Sequence, residues 1–500
     1  MTSLPVSISI ITTQLMAHGW IRMKSIKYVL LAILIPTVLA VCNLPPDFWC
    51  DTPATAVACM GTTQYCDAYN SRQRSSKFKL DLAFESACPD SQQFVVYRLY
   101  PQVLNNRNIN GLVDFKAFPW GLAKRDETAE GRVRCHHGAR ECAGNRLLSC
   151  AFLYYVNDSD KSNRLFSCFM SSMMYRATPG VAMKNCLQHV QTPEEAVKSI
   201  IHCAEGSQAD DLQKHDEAET AKILARPRFV PFIALGGRSH IHMQAYQMFL
   251  GDKLKIWNET LHRYPQPAKV TPTRCSVPFD FWCSDPAIIN ECGSQAICTA
   301  YQREIQNKRL EYRIIYDSTL TNSVQYILGY VKNVLLRDST KVLVRLEPTP
   351  TPNCDNRQQN CADHAVQECI ATKITDPAEQ VELLLCLLEN KNMSGGMKTA
   401  WEERCHFMTR NYTPKFKDEI SRCANSTEWQ TYSAVRSDAQ RLRLQPEPKR
   451  SDPWLVINGH SSSTVQHYQR HLHRTTCLWY RGNGHDRDAC ARCEYEATHC

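Results

Sequence analysis

The segment FESACPDSQQFVVYRLYP, residues 84–101, places one cysteine where a short apolar strand runs into a helix. A cysteine at a helix N-terminus is suited to thiol chemistry, because the helix dipole and the free N–H groups there favour a thiolate. Redox sites of this kind usually carry a second cysteine three residues later, but this chain has Ser91 at that position. Cys88 is therefore a candidate nucleophile that has no resolving cysteine beside it.

The chemistry open to Cys88 is thiol–disulfide exchange, in which a thiolate attacks a substrate disulfide and forms a mixed disulfide. Ser91 could donate a hydrogen bond to the sulfur but could not expel the substrate. Release would then require an external thiol, glutathione or cysteine. Asp90, inside the motif, is expected to disfavour the thiolate. The alternatives are an inert or cysteinylated thiol and a disulfide to another chain.

The chain repeats itself. CNLPPDFWCDTPATAVAC recurs as CSVPFDFWCSDPAIINEC, and CHHGARECAGNRLLSC recurs as CDNRQQNCADHAVQEC, with the same cysteine spacing each time. This pattern predicts a tandem duplication. The predicted organisation is repeat one at 42–262, a Pro-rich linker at 263–274 that is extended and semi-rigid, repeat two at 275–475, and a cysteine-rich tail at 476–500.

Both repeats show the same order of predicted elements. Alternating apolar residues predict a first strand at 78–84 or 310–316, followed by a helix and a second strand. A cysteine-rich helical stretch follows, in which Thr192 is predicted to cap a helix, and a last strand comes after Pro231 or Pro453. We therefore predict the α/β class, with two thioredoxin-like domains. Each domain has a disulfide-rich helical insertion and a four-cysteine N-terminal segment.

Comparison of the repeats singles out Cys88 among the 25 cysteines. The other cysteines of repeat one have counterparts in repeat two, where Leu320 and Ser323 stand in place of Cys88 and Ser91. Ten cysteines per repeat are thus predicted to form a disulfide framework, and repeat two is predicted to be inactive as a thiol catalyst. The framework cysteines of the longer repeated motif are Cys135, Cys142, Cys150, Cys354, Cys361 and Cys369.

Cysteine usage points to the secretory pathway, because this density is unusual in a reducing cytosol. Residues 1–41 are predicted to be a signal peptide whose expected start is Met23; an uncleaved anchor is the alternative. We expect the mature chain to be soluble, without a membrane, and either secreted or lysosomal. Five sequons predict N-glycosylation, at Asn157, Asn258, Asn392, Asn411 and Asn425.

The residues 135–150 fit C-x-H-G-x-x-E-C-x-x-N-x-x-x-x-C, which resembles the signature of the gamma-interferon-inducible lysosomal thiol reductase (GILT) family. The segment around Cys88 resembles the active-site strand and helix of that family, and VPFIALGG and DPWLVINGH resemble its closing proline strand. The resemblance implies a thioredoxin-like fold and reduction of protein disulfides in an acidic lumen, without a bound cofactor. It further implies that Cys88 is the nucleophile and that Pro231 is a cis proline which binds substrate backbone.

The chain also departs from the family pattern. Ser91 replaces the second active-site cysteine, and repeat two has Asn360 for the signature glutamate and His364 for the signature asparagine. The favoured hypothesis is a monothiol disulfide reductase that acts on disulfide-containing proteins through Cys88 and an external thiol. The alternative is a catalytically silent tandem protein that binds luminal or extracellular proteins.

Two further groups of residues and the net charge bear on other functions. His136 and His137 are interpreted as a surface or hydrogen-bonded pair beside a disulfide, and no metal site is predicted. Cys490 and Cys493 of the tail could be a redox pair or half of a zinc site, but structural disulfides are favoured. The net charge of +8 is spread thinly and no nucleic-acid motif accompanies it, so we expect no nucleic-acid partner.

Overall fold

The computed structural model describes residues 42–125, 133–224, 229–263, 273–332, 338–354, 359–410 and 413–482. Outside the described residues lie the predicted signal peptide, most of the predicted linker, the sequon at Asn411, and the tail from residue 483, with its Cys490, Cys493 and Cys500.

Repeat one contains a strand–helix–strand unit followed by five helices and a closing strand. The helix that follows Cys88 continues as a π-helical segment, Val95–Leu104. Short 3-10 turns lie at Pro46–Phe48, Asn110–Leu112 and Ala245–Phe249. The elements in chain order are α1 (Pro53–Met60), α2 (Gln64–Arg74), β1 (Phe78–Phe84), α3 (Pro89–Phe94), β2 (Val113–Pro119), β3 (Lys124–Arg125), β4 (Val133–Arg134), α4 (Ala139–Tyr154), α5 (Ser159–Met174), α6 (Pro179–His189), α7 (Glu194–Glu205), α8 (Ser207–Ile223), β5 (Phe232–Leu235), α9 (Ile241–Gln244) and α10 (Leu250–Arg263).

Repeat two follows the same order with additional short strands. Its first helix after the leading strand also continues as a π-helical segment, Ile327–Val331, and 3-10 turns lie at Phe279–Phe281, Cys405–Met408 and Gln469–His471. The elements are α11 (Pro286–Cys292), α12 (Gln295–Ile305), β6 (Leu310–Tyr316), α13 (Thr321–Tyr326), β7 (Val342–Pro348), α14 (Gln359–Lys373), α15 (Pro377–Asn390), α16 (Met397–Glu403), α17 (Pro414–Asn425), α18 (Glu428–Arg443), β8 (Gln445–Pro446), β9 (Trp454–Ile457), β10 (His460–Ser461), α19 (Ser463–Gln466) and α20 (Leu472–Trp479).

Each repeat has a main sheet with the same arrangement at its centre, and repeat one also has a two-stranded antiparallel sheet formed by β3 and β4. In repeat one the order is β2-β1-β5, and in repeat two it is β7-β6-β9-β10-β8. The central strand pairs in parallel with the second strand and antiparallel with the closing strand in both repeats. Because β1 ends at Phe84, its carboxyl end delivers the next four residues to the start of α3. The predicted α/β class is confirmed.

The disulfides of the two repeats follow the same pairing. Five bonds lie in each repeat among the described residues, and Cys88 is a free thiol. Cys477 is also disulfide-bonded. This density fits an oxidising compartment. The bonds are Cys42–Cys59, Cys50–Cys66, Cys135–Cys142, Cys150–Cys203 and Cys168–Cys186, and their counterparts Cys275–Cys292, Cys283–Cys298, Cys354–Cys361, Cys369–Cys423 and Cys386–Cys405.

The helix cap predicted at Thr192 is wrong. Helix α7 begins at Glu194, and the residue that precedes it, Pro193, makes no side-chain cap. The Thr192 hydroxyl instead lies 2.5 Å from the phenol oxygen of Tyr155, just beyond the end of α4. Thr192 therefore forms a hydrogen bond with Tyr155 instead of the predicted bond to the start of α7.

A buried carboxyl group joins α4 and α8 in repeat one. The Asp216 carboxylate accepts hydrogen bonds from the Ser149 hydroxyl (2.5 Å) and from the Gln213 amide (3.2 Å). Burial raises the pKa of Asp216 to about 7, although the bonds from Ser149 and Gln213 act in the opposite direction. At the corresponding positions of repeat two, Arg436 forms an ion pair with Glu368 at 2.6 Å.

A buried polar network joins the two repeats, which lie in one compact unit. Lys253 of repeat one has no exposed side-chain surface and contacts the Asp280 carboxylate and the Tyr468 hydroxyl of repeat two. It also lies 3.4 Å from Asp47 of its own repeat. The connection runs both ways, since the Tyr468 hydroxyl of repeat two donates to Asp47 at 3.0 Å. The Trp479 indole, just beyond repeat two, also donates to Asp47, at 2.9 Å.

The two halves of this network correspond by sequence position. Asp47 and Asp280 occupy the same place in the repeated D-F-W segment. Asp47 accepts hydrogen bonds from Tyr468 of repeat two and from Trp479 just beyond it. Asp280 accepts a hydrogen bond from the Trp257 indole of repeat one. Each repeat therefore supplies hydrogen-bond donors that satisfy a buried carboxylate of the other.

Among the described residues, no helix combines the length and the apolar character that a bilayer crossing requires.

The first prediction concerns Lys253. Replacing it with methionine leaves the buried Asp47 and Asp280 carboxylates without their cation, so we expect the free energy of unfolding to fall by about 3–5 kcal/mol. Urea unfolding of Lys253→Met measures this change, and Lys255→Met, an exposed neighbour on the same helix, is the matched control. A Lys253→Met chain as stable as the control would contradict the role assigned to the network.

The second prediction concerns the pH dependence of stability. The folded Asp216 carboxyl holds its proton up to about pH 7, whereas an unfolded aspartate releases it near pH 4, so its contribution to stability falls as the pH rises through this window. The stability of Asp216→Asn relative to the original chain should therefore rise by about 1–3 kcal/mol between pH 5 and pH 8. Thermal unfolding at both pH values measures this, with the exposed Asp211→Asn on the same helix as the control.

Candidate active site around Cys88

Cys88 lies between β1 and α3 and occupies the N-cap position of α3, without a capping hydrogen bond from its side chain. Only 6% of its surface is exposed. Its Sγ atom is 3.8 Å from the backbone carbonyl oxygen of Val230, and the peptide bond between Val230 and the buried Pro231 is cis. The fold thus brings the β1–α3 turn and the start of β5 together, although 142 residues separate Cys88 from Val230.

Ser91 faces the same turn from the first turn of α3 and is fully buried. Its hydroxyl accepts a hydrogen bond from the Glu85 N–H at 3.4 Å. The Ser91 hydroxyl and N–H and the Asp90 N–H also hydrogen-bond the Cys88 sulfur, which lowers the pKa of the thiol. These are the free N–H groups expected at a helix N-terminus.

The net effect on the Cys88 thiol is nevertheless the opposite of the expectation. Burial raises the pKa of Cys88, and the Glu85 carboxylate raises it further. The hydrogen bonds from Ser91 and Asp90 do not offset these two effects. The prediction that Asp90 disfavours the thiolate is wrong, because the Asp90 backbone N–H lowers the pKa of Cys88. The carboxylate that disfavours the thiolate is that of Glu85.

Helix α4 holds the turn at residues 85–88 in place. The Ser86 N–H donates to the Asn145 side-chain oxygen at 3.0 Å, and the Ser86 hydroxyl donates to the Glu141 carbonyl at 3.1 Å. Gly144 allows this approach, since a Cβ atom there would lie 2.4 Å from the Ser86 hydroxyl. The asparagine of the 135–150 motif therefore positions the turn that carries Cys88.

Glu85 is not among the site residues predicted from the sequence, and its side chain is fully buried beneath the turn. The Leu122 N–H donates to its Oε1 atom at 2.7 Å. Gly121 has a φ of +61°, and a Cβ there would lie 2.2 Å from the Glu85 Cγ atom, so this position requires glycine. Burial raises the pKa of Glu85, and the nearby Glu141 carboxylate adds to this effect.

The histidine pair faces the two buried carboxylates. His137 Nδ1 is 2.6 Å from Glu141 Oε2 and 3.1 Å from Glu85 Oε2. His136 Nδ1 is 3.3 Å from Glu85 Oε2. About 32% of the His137 side chain and 55% of the His136 side chain are exposed, so the pair borders the way from solvent to the site.

One set of donor atoms in this region could hold a metal ion. A carboxylate oxygen of Glu85, the sulfur of Cys88 and a ring nitrogen of His137 lie within 4.8 Å of one another. Of these three residues, the sequence identifies only Cys88 as functional. Glu85 lies three residues before Cys88 but carries no motif of its own, so only its position in the folded chain reveals it.

The corresponding region of repeat two has different chemistry. Leu320, in place of Cys88, is 41% exposed. Asp317, in place of Glu85, accepts hydrogen bonds from the N–H and hydroxyl of Thr319 within its own turn. Lys391 donates to the Ser318 carbonyl and lies 3.4 Å from the buried Asp363 carboxylate. A permanent cation is therefore present here, whereas repeat one has imidazoles.

Other features lie away from Cys88. A groove of about 610 Å³ runs between β2 and the helical insertion and is bordered by Phe115, Phe152 and Asp216. The sequon asparagines within the described residues are exposed at Asn157, Asn392 and Asn425 and half-buried at Asn258.

Comparison with known proteins gives a family for part of the chain. Residues 79–190, which include Cys88 and the 135–150 motif, match the family model of gamma interferon inducible lysosomal thiol reductase (GILT). The chain is 26% identical over 197 residues to the gamma-interferon-inducible lysosomal thiol reductase of Carassius auratus, a match that covers 39% of this chain and 72% of that protein.

Two further relatives match with similar sequence identity and coverage. A gamma-interferon-inducible lysosomal thiol reductase-like protein of Anopheles gambiae is 27% identical over 169 residues, or 32% of this chain and 67% of the relative. A gamma-interferon-responsive lysosomal thiol protein of Arabidopsis thaliana is 27% identical over 165 residues, or 33% and 64%. The resemblance to the GILT family is confirmed, and matches that span most of a relative but about a third of this chain fit a duplication.

The third prediction compares the effects of the Glu85 and Asp90 carboxylates on the reactivity of the Cys88 thiol. Glu85→Gln removes a charge that raises the pKa of Cys88, so we expect iodoacetamide to alkylate Cys88 several-fold faster at pH 7, since the thiolate fraction grows about tenfold for each unit by which the pKa falls. Mass spectrometry of the Cys88 peptide measures the rate. Asp90→Asn is the control and should change it little. A larger acceleration in Asp90→Asn than in Glu85→Gln would contradict the assignment.

Proposed function

We propose, from the GILT-family domain that residues 79–190 carry, that this chain is a thiol–disulfide oxidoreductase which reduces protein disulfides through Cys88 alone. The observation that carries the proposal is the state of Cys88. It is a free thiol at the start of α3, beside the Val230–Pro231 peptide, while the other described cysteines are disulfide-bonded.

The proposed reaction has three exchange steps. The Cys88 thiolate attacks one sulfur of a substrate disulfide, the S–S bond breaks, and one substrate sulfur leaves as a thiolate that takes up a proton. An external thiol, glutathione or cysteine, then attacks the mixed disulfide and releases the second substrate thiol. A second external thiol restores Cys88 and leaves as the oxidised disulfide, so two external thiols are oxidised for each substrate disulfide reduced.

Ser91 explains why an external thiol is needed. A cysteine at this position would attack the mixed disulfide within the molecule, at a high effective concentration. The Ser91 hydroxyl cannot perform this step. Its proposed role is to hydrogen-bond the Cys88 sulfur, and Pro231 is proposed to contact the substrate backbone next to the bond under attack.

The same proposal covers the domain organisation, the role of repeat two, the location and the partners. We infer that residues 42–262 and 275–475 are thioredoxin-like domains, and that repeat two has a structural role because it has no thiol at Leu320 or Ser323. The Lys253 network is consistent with this role, since a buried carboxylate of each repeat contacts a donor of the other repeat. The names of the relatives favour a lysosomal location over secretion, and disulfide-containing proteins are the proposed partners.

The fourth prediction tests the single-cysteine mechanism. Pre-reduced protein is mixed with a peptide that contains one disulfide, without any external thiol. The original chain should stop at a mixed disulfide on Cys88, whereas Ser91→Cys should release both peptide thiols and close a disulfide between Cys88 and the introduced cysteine. Mass spectrometry of the products measures both outcomes. Ser323→Cys, the same change in repeat two, is the matched control.

The single-cysteine mechanism also predicts how the chain behaves when an external thiol is present. With glutathione added, the original chain should turn over and Cys88→Ala should not, at pH 4.5 and at pH 7. Cleavage of the peptide disulfide by Cys88→Ala, or no adduct on Cys88 in the original chain, would refute the proposed function.

A further inference from the structure

We propose that Glu85, Cys88 and His137 form a binding site for a divalent metal ion of the zinc class, and that the bound metal blocks Cys88. The geometry points to this site independently of any reductase activity. Only the regulatory consequence, inhibition of exchange, rests on the proposed function.

The three donors are those that zinc prefers. Zinc binds cysteine sulfur, histidine nitrogen and carboxylate oxygen at about 2.0–2.3 Å, which puts the donor atoms of a tetrahedral site about 3.5 Å apart. The donors of Glu85, Cys88 and His137 already lie within 4.8 Å of one another, and two of them are buried. Small side-chain rotations therefore complete the coordination, and a fourth position remains for water or a ligand.

The charge balance around the site favours a cation. Glu85 and Glu141 are both fully buried, and their ion-pair partners among the described residues are the two histidines, with no lysine or arginine. An imidazole carries no permanent charge, unlike a lysine or arginine side chain. In the same region of repeat two, the buried Asp363 carboxylate is paired with Lys391 instead.

Neighbouring groups hold two of the proposed ligands in position. Glu141 Oε2 lies 2.6 Å from Nδ1 of His137. With the proton of the ring on Nδ1, this contact orients the histidine and leaves Nε2 as the nitrogen that would bind the metal. The Leu122 N–H binds Oε1 of Glu85 and leaves Oε2 facing the histidines. The partly exposed His136 and His137 border the path by which an ion would enter.

This inference differs from the expectation drawn from the sequence, in which no metal site is predicted. In the sequence, the neighbours of His136 and His137 are Cys135 and Cys142, and these two cysteines are bonded to each other. Folding supplies a different sulfur, because the bond between Ser86 and Asn145 brings Cys88 to the start of α4.

Metal binding is a simple exchange of a proton for a cation. The Cys88 S–H bond breaks, the sulfur–metal bond forms, and the proton leaves to solvent. No group is oxidised or reduced. The metal-bound sulfur is no longer free to attack a disulfide or an alkylating agent.

The test uses the full chain after removal of metals with a chelator. Zinc is titrated in competition with a chromophoric chelator, and cobalt(II) is added separately to look for a sulfur-to-cobalt charge-transfer band. We expect zinc bound by the original chain, the cobalt band, and protection of Cys88 from iodoacetamide by zinc. Cys88→Ser should lose the band and the site, and His137→Ala should bind at least tenfold more weakly.

Control variants test whether zinc binding depends on the proposed ligands. His202→Ala, an exposed histidine on α7, should bind zinc like the original chain, and circular dichroism verifies the folding of each variant. Glu141→Gln should weaken binding about 10–100-fold, as is usual when the carboxylate partner of a histidine ligand is removed. Equal zinc affinity in the original chain and in Cys88→Ser, or no zinc protection of Cys88, would overturn the proposal.

The two proposals fail separately. A chain that binds zinc through Cys88 but reduces no disulfide would refute the proposed function alone. A chain that reduces disulfides and binds no zinc through Cys88 would refute this inference alone.

Discussion

The hydrogen bond from the Ser86 N–H to the Asn145 side chain is the contact on which the site depends. It ties the turn between β1 and α3 to the first turns of α4, two segments that lie far apart in the chain. Together with the bond from the Ser86 hydroxyl to the Glu141 carbonyl, it sets the position of Cys88 relative to His137. The disulfides of α4, Cys135–Cys142 and Cys150–Cys203, fix the helix that carries Asn145. The disulfide framework thus positions the Cys88 turn through the two hydrogen bonds of Ser86 to α4.

The second constraint is the burial of negative charge beside a thiol. Glu85 and Glu141 lie together beneath Cys88, and burial raises the pKa of both Glu85 and Cys88. A thiolate next to a buried carboxylate is costly, because desolvation and like charge act in the same direction. A proton on Cys88, or the substrate sulfur or metal ion proposed above, would reduce this cost. Burial and the neighbouring carboxylate therefore disfavour a free Cys88 thiolate.

Repeat two has the same scaffold as repeat one but no thiol at the position of Cys88. It keeps the five disulfides and the central strand arrangement, while Leu320 replaces the thiol and Lys391 neutralises the buried acid. Its contribution to repeat one lies in the shared network, where the Tyr468 hydroxyl donates to Asp47. Removal of repeat two would take away this donor and the Asp280 partner of Lys253. This contact gives a physical reason for the presence of repeat two, although it has no thiol at Leu320 or Ser323.

The duplication, the α/β class and the candidate thiol all follow from the sequence, because repetition, cysteine spacing and apolar alternation are properties of the chain alone. The same sequence does not reveal that β1 is buried at almost every position. Nor does it reveal the partner of Thr192 or the role of Glu85. These features arise only in the folded chain, because burial and electrostatic contact depend on segments that meet after folding. The direction of the pKa shift of Cys88 is the clearest case: the helix N-terminus is visible in the sequence, but the buried carboxylate that opposes it is not.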